Sequence, residues 1–195
     1  MADGGDVYTL PRDLPAPVDD GAADHLRGAA VPPVLLPATS GAVVDLAVLT
    51  GTPTVLFFYP RTGEKGVPAG PEWDLIPGAR GCTPQSCGFR DLDGDFRALG
   101  VRVVGVSTQT TTYQREFVER NHAPFDLLSD AALRLTRALR LPTFEFPVAS
   151  GGPTTLIRRM AWYADRGTIR HVWYPVFPPD RNAATVLAWL RTQRP

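Results

Sequence analysis

Residues 54–59 read Thr-Val-Leu-Phe-Phe-Tyr, and residues 81–87 read Gly-Cys-Thr-Pro-Gln-Ser-Cys. The first stretch is a continuous apolar run, which is typical of a central strand buried on both faces. The second stretch follows a loop rich in glycine and proline, and it contains both cysteines of the chain, Cys82 and Cys87. This order predicts a reactive centre where the strand ends and the following helix begins.

The residues after the cysteines predict a helix and then a second strand. Phe89, Leu92, Phe96 and Leu99 recur at spacings of three and four residues, which predicts an amphipathic helix over 83–99. Residues 101–107 form a second apolar run and predict another buried strand. A strand, a helix and a strand in this order form a right-handed parallel crossover unit.

The rest of the chain completes a thioredoxin-like α/β fold, a central mixed sheet flanked by helices. Residues 34–36 and 43–46 predict a β-hairpin. A second hairpin is predicted from residues 155–164 and 168–174, around a tight turn at 165–167. The remaining predictions are a helix over 111–121 with a capping box at Thr111 and Gln114, a strand over 126–128, a helix over 131–139 capped by Ser129 or Asp130, and a final helix over 181–192 capped by Asp180.

Two segments lack the periodicity of regular structure. Residues 1–31 are rich in Asp, Gly, Ala and Pro, so we expect an N-terminal extension that lies over the surface of a domain formed by residues 32–195. Residues 63–81 contain many glycines and prolines and predict a long loop. We expect Trp73, Leu75 and Ile76 to anchor this loop to the domain.

Composition disfavours several classes of function. The formal net charge is +0, so no overall field attracts nucleic acid or an anionic membrane. No apolar run approaches the roughly 20 residues of a membrane helix, and the first 30 residues lack a signal-peptide core. We expect a cytoplasmic protein, in which a disulfide is more often catalytic or sensing than structural. His25, His122 and His171 are scattered without ligand spacing, so we expect no metal site.

Cys82 lies at or just before the first turn of the predicted helix. Unpaired backbone N–H groups and the positive end of the helix dipole favour a thiolate there. Pro84 supports this placement, because proline is tolerated in a first turn and breaks a helix interior. The dipole contributes about 2 kcal/mol at best, so we expect a cation such as arginine beside Cys82. A free cysteine can also be only a small buried hydrophobe, and the cysteines alone leave that reading open.

The spacing of the two cysteines restricts how they can react together. In an intact helix their Cα atoms would be about 8 to 9 Å apart, whereas a disulfide needs less than about 7 Å. If the thiols join, the first turns of the helix must therefore unwind. The pair predicts a cycle in which the Cys82 thiolate attacks an electrophile, becomes a sulfenic acid and is captured by Cys87.

The motif around the cysteines resembles a known family. Residues 58–61, Phe-Tyr-Pro-Arg, and residues 81–91, Gly-Cys-Thr-Pro-Gln-Ser-Cys-Gly-Phe-Arg-Asp, resemble the peroxiredoxins of the peroxiredoxin Q or bacterioferritin-comigratory type. The resemblance implies that Cys82 is the peroxidatic nucleophile and Cys87 the resolving thiol. It also implies hydrogen peroxide or an alkyl hydroperoxide as substrate, a thioredoxin-like protein as reductant, no cofactor, and a monomer or weak dimer.

The resemblance further implies an arginine in the site. The family's arginine opens the strand before the last hairpin turn, and Arg159 fits that place, six residues before Asp165. Arg158 is adjacent, and the alternation of side chains along a strand allows only one of the two to face the pocket. Arg159 is the predicted catalytic residue.

The chain departs from the family in one motif. The family has Pro-x-x-x-Thr-x-x-Cys, but here Ala79 lies three residues before Cys82 and Pro60 lies 22 residues before it. We interpret residues 63–76 as an insertion within the motif. Thr62, just after Pro60, is the candidate for the missing hydroxyl. For Thr62 to lie near Cys82, the insertion has to bulge outward and return to the site.

Three hypotheses follow for the function. The first is a thiol peroxidase that uses a Cys82–Cys87 disulfide and is recycled by thioredoxin or a similar dithiol protein. The second is a redox-sensing binding protein in which the same disulfide changes a partner surface with little turnover. The third is a scaffold without catalysis, whose Cys82 reacts slowly with peroxide.

Overall fold

A computed structural model describes residues 10–11, 13–63, 71–146 and 153–193. The strands are β1 (Leu35–Pro37), β2 (Val43–Asp45), β3 (Thr54–Phe58), β4 (Arg102–Ser107), β5 (Leu127–Ser129), β6 (Thr143–Glu145), β7 (Thr155–Ile157), β8 (Met160–Asp165) and β9 (Thr168–Trp173). The helices are α1 (Leu46–Leu49), α2 (Pro71–Asp74), α3 (Cys82–Asp91), α4 (Asp93–Ala98), α5 (Thr111–Asn121), α6 (Arg134–Leu139) and α7 (Asn182–Thr192). The central sheet has the order β5-β4-β3-β8-β9. Because β3 is parallel to β4 and antiparallel to β8, the predicted central mixed sheet is confirmed.

Strand β3 is buried along its whole length because each of its faces packs in a separate core. On one face, the rings of Phe58 and Trp162 lie 4.4 Å apart. On the other face, Phe57 stacks on Phe89 of α3 at 4.5 Å. The second core also contains Cys82, so this packing holds the start of α3 close to the sheet.

The single helix predicted over 83–99 is two helices in the structure. The chain leaves helical geometry at Leu92, with φ −103° and ψ 6°, and α4 begins at the next residue. The break redirects the chain so that Phe96 packs on Phe89, with ring centroids 5.7 Å apart. The periodicity continues through the break, because both helices bury apolar side chains in the same core.

The strand predicted over 155–164 is likewise divided. Its first part, β7, pairs with β6, which the sequence analysis did not predict, and its second part, β8, joins the central sheet. Arg158 and Arg159 lie between the two parts. The hairpin turn that follows β8 is confirmed, with positive φ at Arg166 and Gly167.

The first hairpin is also confirmed, since β1 pairs with β2 in an antiparallel register. Leu46, predicted as part of this hairpin, instead begins the short helix α1. Asp45 explains the change, because its carboxylate accepts hydrogen bonds from the N–H groups of Ala47 at 2.9 Å and Val48 at 3.5 Å.

The predicted helix caps have mixed outcomes. The capping box at Thr111 and Gln114 is wrong, because Gln114 is buried and donates from Nε2 to Leu128 O at 2.9 Å and to Ser107 Oγ at 3.1 Å. Helix α6 begins at Arg134, later than the predicted residue 131, and Leu133 occupies its N-cap position. Asp130 lies outside the helix, but its carboxylate accepts hydrogen bonds from the N–H groups of Leu135 and Thr136 in the first turn. Asp180 lies within a 3-10 turn, Pro179–Arg181, and makes no capping hydrogen bond to α7.

The predicted N-terminal extension does not lie only over the surface, because its last residues, near residue 31, pack into the domain. Leu26 and Val31 are buried in the core. Gly28 N donates to Ile169 O at 2.8 Å, and Ala30 forms an isolated bridge to Thr168. These contacts cover part of the outer edge of β9, and the domain boundary at residue 32 stays a prediction.

The predicted loop over 63–81 contains a short helix, α2, and its residues 64–70 lie outside the described part of the chain. Trp73 is buried and Ile76 packs against the same small cluster, as expected for anchors. The prediction for Leu75 is wrong, since its side chain is 74% exposed.

Candidate active site

Helix α3 begins at Cys82, directly after a glycine that the local geometry requires. Gly81 has φ +102°, a backbone conformation that side chains strongly disfavour. A Cβ at Gly81 would overlap the ring of Pro179 and lie 2.9 Å from Leu10 Cδ2. Pro84 occupies the first turn of α3, as the sequence predicts. The helix start therefore presents the Cys82 thiol beside Tyr59, at the end of β3.

A guanidinium group lies against this thiol. Arg159 Nη2 donates a hydrogen bond to Cys82 Sγ at 3.2 Å, and the thiol itself points to Ala79 O at 3.6 Å. Arg159 is only 3% exposed and Cys82 4%. The cation expected beside Cys82 is thus provided by the residue that the sequence analysis selected.

Backbone carbonyls hold Arg159 in place. Its Nε donates to Gly78 O at 3.2 Å, and its Nη2 donates to Ala79 O at 2.9 Å and to Arg80 O at 3.2 Å. Among the described residues, no carboxylate forms an ion pair with Arg159. The charge of the guanidinium is therefore available to an anion at Cys82 Sγ.

Two further residues of the site were not predicted. Gln85 Oε1 accepts a hydrogen bond from Arg159 Nη1, and Gln85 Nε2 donates to Asn182 Oδ1 at 3.0 Å. The two amides form a chain of hydrogen bonds from the start of α7 to the guanidinium. Gln85 lies three residues after Cys82, on the neighbouring part of the helix surface, and this spacing was the signal available in the sequence.

Arg158 is directed away from the thiol. Its Nε donates to Thr143 O at 3.2 Å, and its guanidinium carbon lies 6.0 Å from the centre of the Phe144 ring. The two arginines thus have different environments, although neither lies within a strand.

Thr62 and Pro60 are both buried at the end of β3. Thr62 Oγ1 donates to Gln109 Oε1 at 3.2 Å, and Gln109 Nε2 donates back to Thr62 O at 3.2 Å. Within the described residues, no hydrogen bond joins Thr62 to Cys82 or Arg159. Ala79 lies three residues before Cys82. It contributes its backbone carbonyl to the site but has no hydroxyl group.

Cys87 lies in the interior of α3, and both cysteines are free thiols. Its Sγ is 3.9 Å from Asn121 Oδ1. Burial raises the pKa of the Cys87 thiol above its ordinary value, although the nearby Arg90 guanidinium opposes the shift. Because α3 is intact between the two cysteines, the thiols are in the separated arrangement expected of the reduced protein.

Among the described residues, little open space lies beside Arg159. A gap of about 10 Å³ lies between Pro17, Gly78, Arg159 and Tyr174. A larger cavity, of about 670 Å³, lies elsewhere, between β2, α4 and β4, and its lining includes neither Cys82 nor Arg159. In the described ranges, no cluster of three or more His, Cys, Asp or Glu side chains could hold a metal ion.

A helix that begins at a cysteine, with an arginine against its sulfur and a second cysteine in the same helix, is the arrangement expected of a thiol-based redox protein. The sequence model of the Redoxin family matches residues 26–187, and the chain belongs to that family. This membership agrees with the mixed sheet and with the position of Cys82.

The chain is similar to proteins of the peroxiredoxin Q type, and that resemblance is confirmed. Peroxiredoxin Q, chloroplastic, of Sedum lineare is 28% identical over 166 residues, 85% of this chain and 78% of that protein. The protein of the same name from Oryza sativa subsp. japonica is 27% identical over 166 residues, 85% of this chain and 67% of that protein. These relatives support a thiol peroxidase.

A similar solved structure is that of peroxidoxin BcpB from Mycobacterium tuberculosis. It aligns with a TM-score of 0.66 and 28% identity, over 87% of this chain and 98% of that chain. The structure of Xanthomonas campestris peroxiredoxin Q, 22% identical, aligns with a TM-score of 0.63 over 92% of this chain and 98% of that chain. These structures confirm the thioredoxin-like fold.

Proposed function

We propose that the protein is a thiol peroxidase that reduces hydrogen peroxide and organic hydroperoxides through Cys82. The observation that carries the proposal is the hydrogen bond of 3.2 Å from Arg159 Nη2 to Cys82 Sγ. The Arg159 guanidinium, which forms no ion pair with any carboxylate in the described part of the chain, stabilises negative charge on the sulfur, and the thiolate is the reactive form of cysteine. The start of α3 adds unpaired backbone N–H groups at the same place.

In the first step, the Cys82 thiolate attacks the terminal oxygen of the hydroperoxide. An S–O bond forms as the O–O bond breaks, and the leaving alkoxide or hydroxide takes a proton from solvent. The sulfur is oxidised by two electrons to a sulfenic acid, and the hydroperoxide is reduced to an alcohol or water. Arg159 stabilises the negative charge of the thiolate and of the oxygens during the attack.

In the second step, the Cys87 thiolate attacks the sulfenic sulfur. The S–S bond forms, the S–O bond breaks, and the hydroxyl leaves as water after taking a proton. The cysteines are about 8 to 9 Å apart at Cα in an intact helix, so α3 has to open before this step. Opening also exposes Cys87 to solvent, which removes the burial that disfavours its thiolate.

Two residues after β3 complete the proposed site. Thr62 supplies the hydroxyl that Ala79, three residues before Cys82, lacks. Pro60 shapes the wall of the site beside Thr62. The oxygen of Thr62 can accept a hydrogen bond from the O–H group of a hydroperoxide while its own hydroxyl donates to Gln109 Oε1. We expect Thr62→Val to slow oxidation of Cys82 more than Thr62→Ser does. Equal rates in the two variants would remove Thr62 from the site.

Thioredoxin or a similar dithiol protein returns the disulfide to two thiols by thiol–disulfide exchange. The proposal places the protein in a reducing compartment such as the cytoplasm. It also includes a monomer or weak dimer, and size-exclusion chromatography tests this oligomeric state. No helix within the described ranges reaches the length and apolarity that crossing a bilayer needs.

The test is peroxide consumption coupled to NADPH, thioredoxin reductase and thioredoxin. We expect turnover in the wild-type protein and none in Cys82→Ser, whereas Cys87→Ser should be oxidised once and then stop. Turnover that persists in Cys82→Ser would overturn the assignment. Fast oxidation of Cys82 without recycling would favour the redox-sensing alternative, and slow oxidation would favour a scaffold.

A further inference from the structure

A segment near the N-terminus lies over the active site. We call residues 10, 11 and 13–20 the strap. Leu10 packs against Gly81, and Pro17 packs against Gly78, where a Cβ would lie 3.3 Å from Pro17 Cγ. At the end of the strap, Tyr174 Oη donates to Asp20 Oδ1 at 2.9 Å.

These contacts fall on the groups that hold the reactive thiol. Gly81 directly precedes Cys82, and the carbonyl of Gly78 accepts a hydrogen bond from Arg159 Nε. Pro17 also lines the gap of about 10 Å³ that reaches Arg159. This gap has room for about one water molecule. The strap therefore forms part of the wall that leaves Cys82 and Arg159 almost fully buried.

The strap is held mainly by side-chain contacts. Among the described residues, no backbone–backbone hydrogen bond involves residues 10–20. The hydrogen bond from Tyr174 to Asp20 is exposed to solvent. A segment with few buried contacts and no backbone pairing opens at low free-energy cost compared with the core. Its displacement requires no change in the sheet.

We propose that the strap restricts the site by size, so that the protein favours hydrogen peroxide over bulky hydroperoxides. This inference rests on the proposed function, because it takes a hydroperoxide as the substrate. Hydrogen peroxide is larger than a water molecule by one oxygen atom, so a small opening beside Pro17 is enough to admit it. A hydroperoxide with an aromatic or long alkyl group needs the space that Leu10 and Pro17 occupy.

The experiment compares two substrates by stopped-flow oxidation of the reduced, full-length protein. The variant Leu10→Ala/Pro17→Ala shortens the side chains that contact Gly81 and Gly78. The control is Val18→Ala, because Val18 belongs to the strap but its side chain is 82% exposed. We expect the ratio of rate constants for cumene hydroperoxide and hydrogen peroxide to rise about tenfold in the double variant and to stay unchanged in the control. An unchanged ratio in the double variant would overturn the inference.

A second measurement separates this inference from the proposed function. In a Cys87→Ser background, the remaining thiol is alkylated with iodoacetamide and with a bulky aromatic maleimide. The strap variant should accelerate the maleimide reaction more than the iodoacetamide reaction, while the Val18→Ala variant should alter neither. If no variant reacts with either peroxide but the alkylation ratio changes, the peroxidase proposal fails and the strap remains a size barrier to the thiol. If the peroxides react and neither ratio changes, only the strap inference fails. Circular dichroism and thermal unfolding verify that the variants are folded.

Discussion

Arg159 Nη2 lies 3.2 Å from Cys82 Sγ although 77 positions separate the two residues in the chain. Each residue lies at an interruption of regular structure, Arg159 between β7 and β8 and Cys82 at the first position of α3. The sheet brings them together, because Phe58 of β3 pairs with Met160 of β8. The end of β3 and the start of β8 therefore lie side by side at the end of the sheet where α3 begins.

The Arg159 guanidinium donates hydrogen bonds to Cys82 Sγ and to backbone carbonyls at the same time. A substitution by lysine, which keeps the charge, should therefore strongly slow the reaction of Cys82. We expect Arg159→Lys to slow the oxidation of Cys82 by about 10- to 100-fold, because a hydrogen bond to a charged group is worth about 1.5 to 3 kcal/mol. Intact-mass detection of the sulfenic acid, trapped in a Cys87→Ser background, measures the rate. Arg158→Lys is the matched control and should change the rate less than twofold. An unchanged rate in Arg159→Lys would show that a positive charge suffices without the guanidinium contact to sulfur, and a similar loss in both variants would contradict a specific role of Arg159.

The hydrogen bonds from Asn182 to Gln85 and on to Arg159 predict coupling between the two amides. Gln85→Leu should slow oxidation about tenfold, since Arg159 loses the acceptor that orients Nη1. Asn182→Leu should act in the same direction with a smaller effect. The double variant should be no slower than Gln85→Leu alone, because Asn182 acts through Gln85. Rates for all four proteins, with thermal stability measured in parallel, test this. Additive losses in the double variant would show that Asn182 acts independently.

The raised pKa of Cys87 predicts slow reaction of this thiol at neutral pH in the reduced protein. Burial disfavours the thiolate, so the pH at which alkylation reaches half its maximal rate should lie above that of a free thiol. In the Cys82→Ser variant, the rate of reaction with iodoacetamide should therefore still be below half its maximum at a pH of about 8.5.

Unfolding the same variant in guanidinium removes the burial and provides the control. Its alkylation curve should move to lower pH. Coincident curves for the folded and unfolded protein would contradict a burial effect on Cys87.

Gly105 of β4 predicts a stability effect that is independent of the chemistry. A Cβ at this position would lie 2.5 Å from Leu127 Cδ2 and 2.6 Å from Phe57 Cζ. Gly105→Ala should lower the free energy of unfolding by about 1 to 3 kcal/mol, because it overfills a packed core. Gly94→Ala in α4 is the matched control, since a Cβ there has no neighbour within 4 Å. It should stabilise the helix by about 0.5 to 1 kcal/mol. Urea unfolding compares them, and equal effects would contradict the crowding at Gly105.

Local patterns in the sequence were sufficient where burial is continuous or where a turn has special residues. Strands β3 and β4 follow from apolar runs, and the hairpin of β8 and β9 follows from Gly167. Cys82 was placed at the start of a helix because Pro84 is compatible only with a first turn. The proximity of Arg159 was expected from the resemblance, since no local pattern joins positions 77 residues apart.

Features that depend on tertiary contacts could not be read from the sequence. The break at Leu92 does not disturb the apolar periodicity, so it was missed. Strand β6 is three residues long and becomes visible only through its pairing with β7. Gln114 fits a capping box equally well, but its burial directs the amide into the core. The spacing of three residues from Cys82 places Gln85 near the thiol, but it does not show its partners, because Arg159 and Asn182 come from distant segments.

The interruption at Leu92 limits how far a distortion that starts at Cys82 can spread. Under the proposed cycle, oxidation disorders at most the ten residues of α3, about three turns. Helix α4 has its own ion pair, Arg97 to Asp93 at 2.7 Å, and its Phe96 is buried in a core that extends well beyond α3. The protein can thus pass between its two oxidation states many times while most of its architecture stays unchanged.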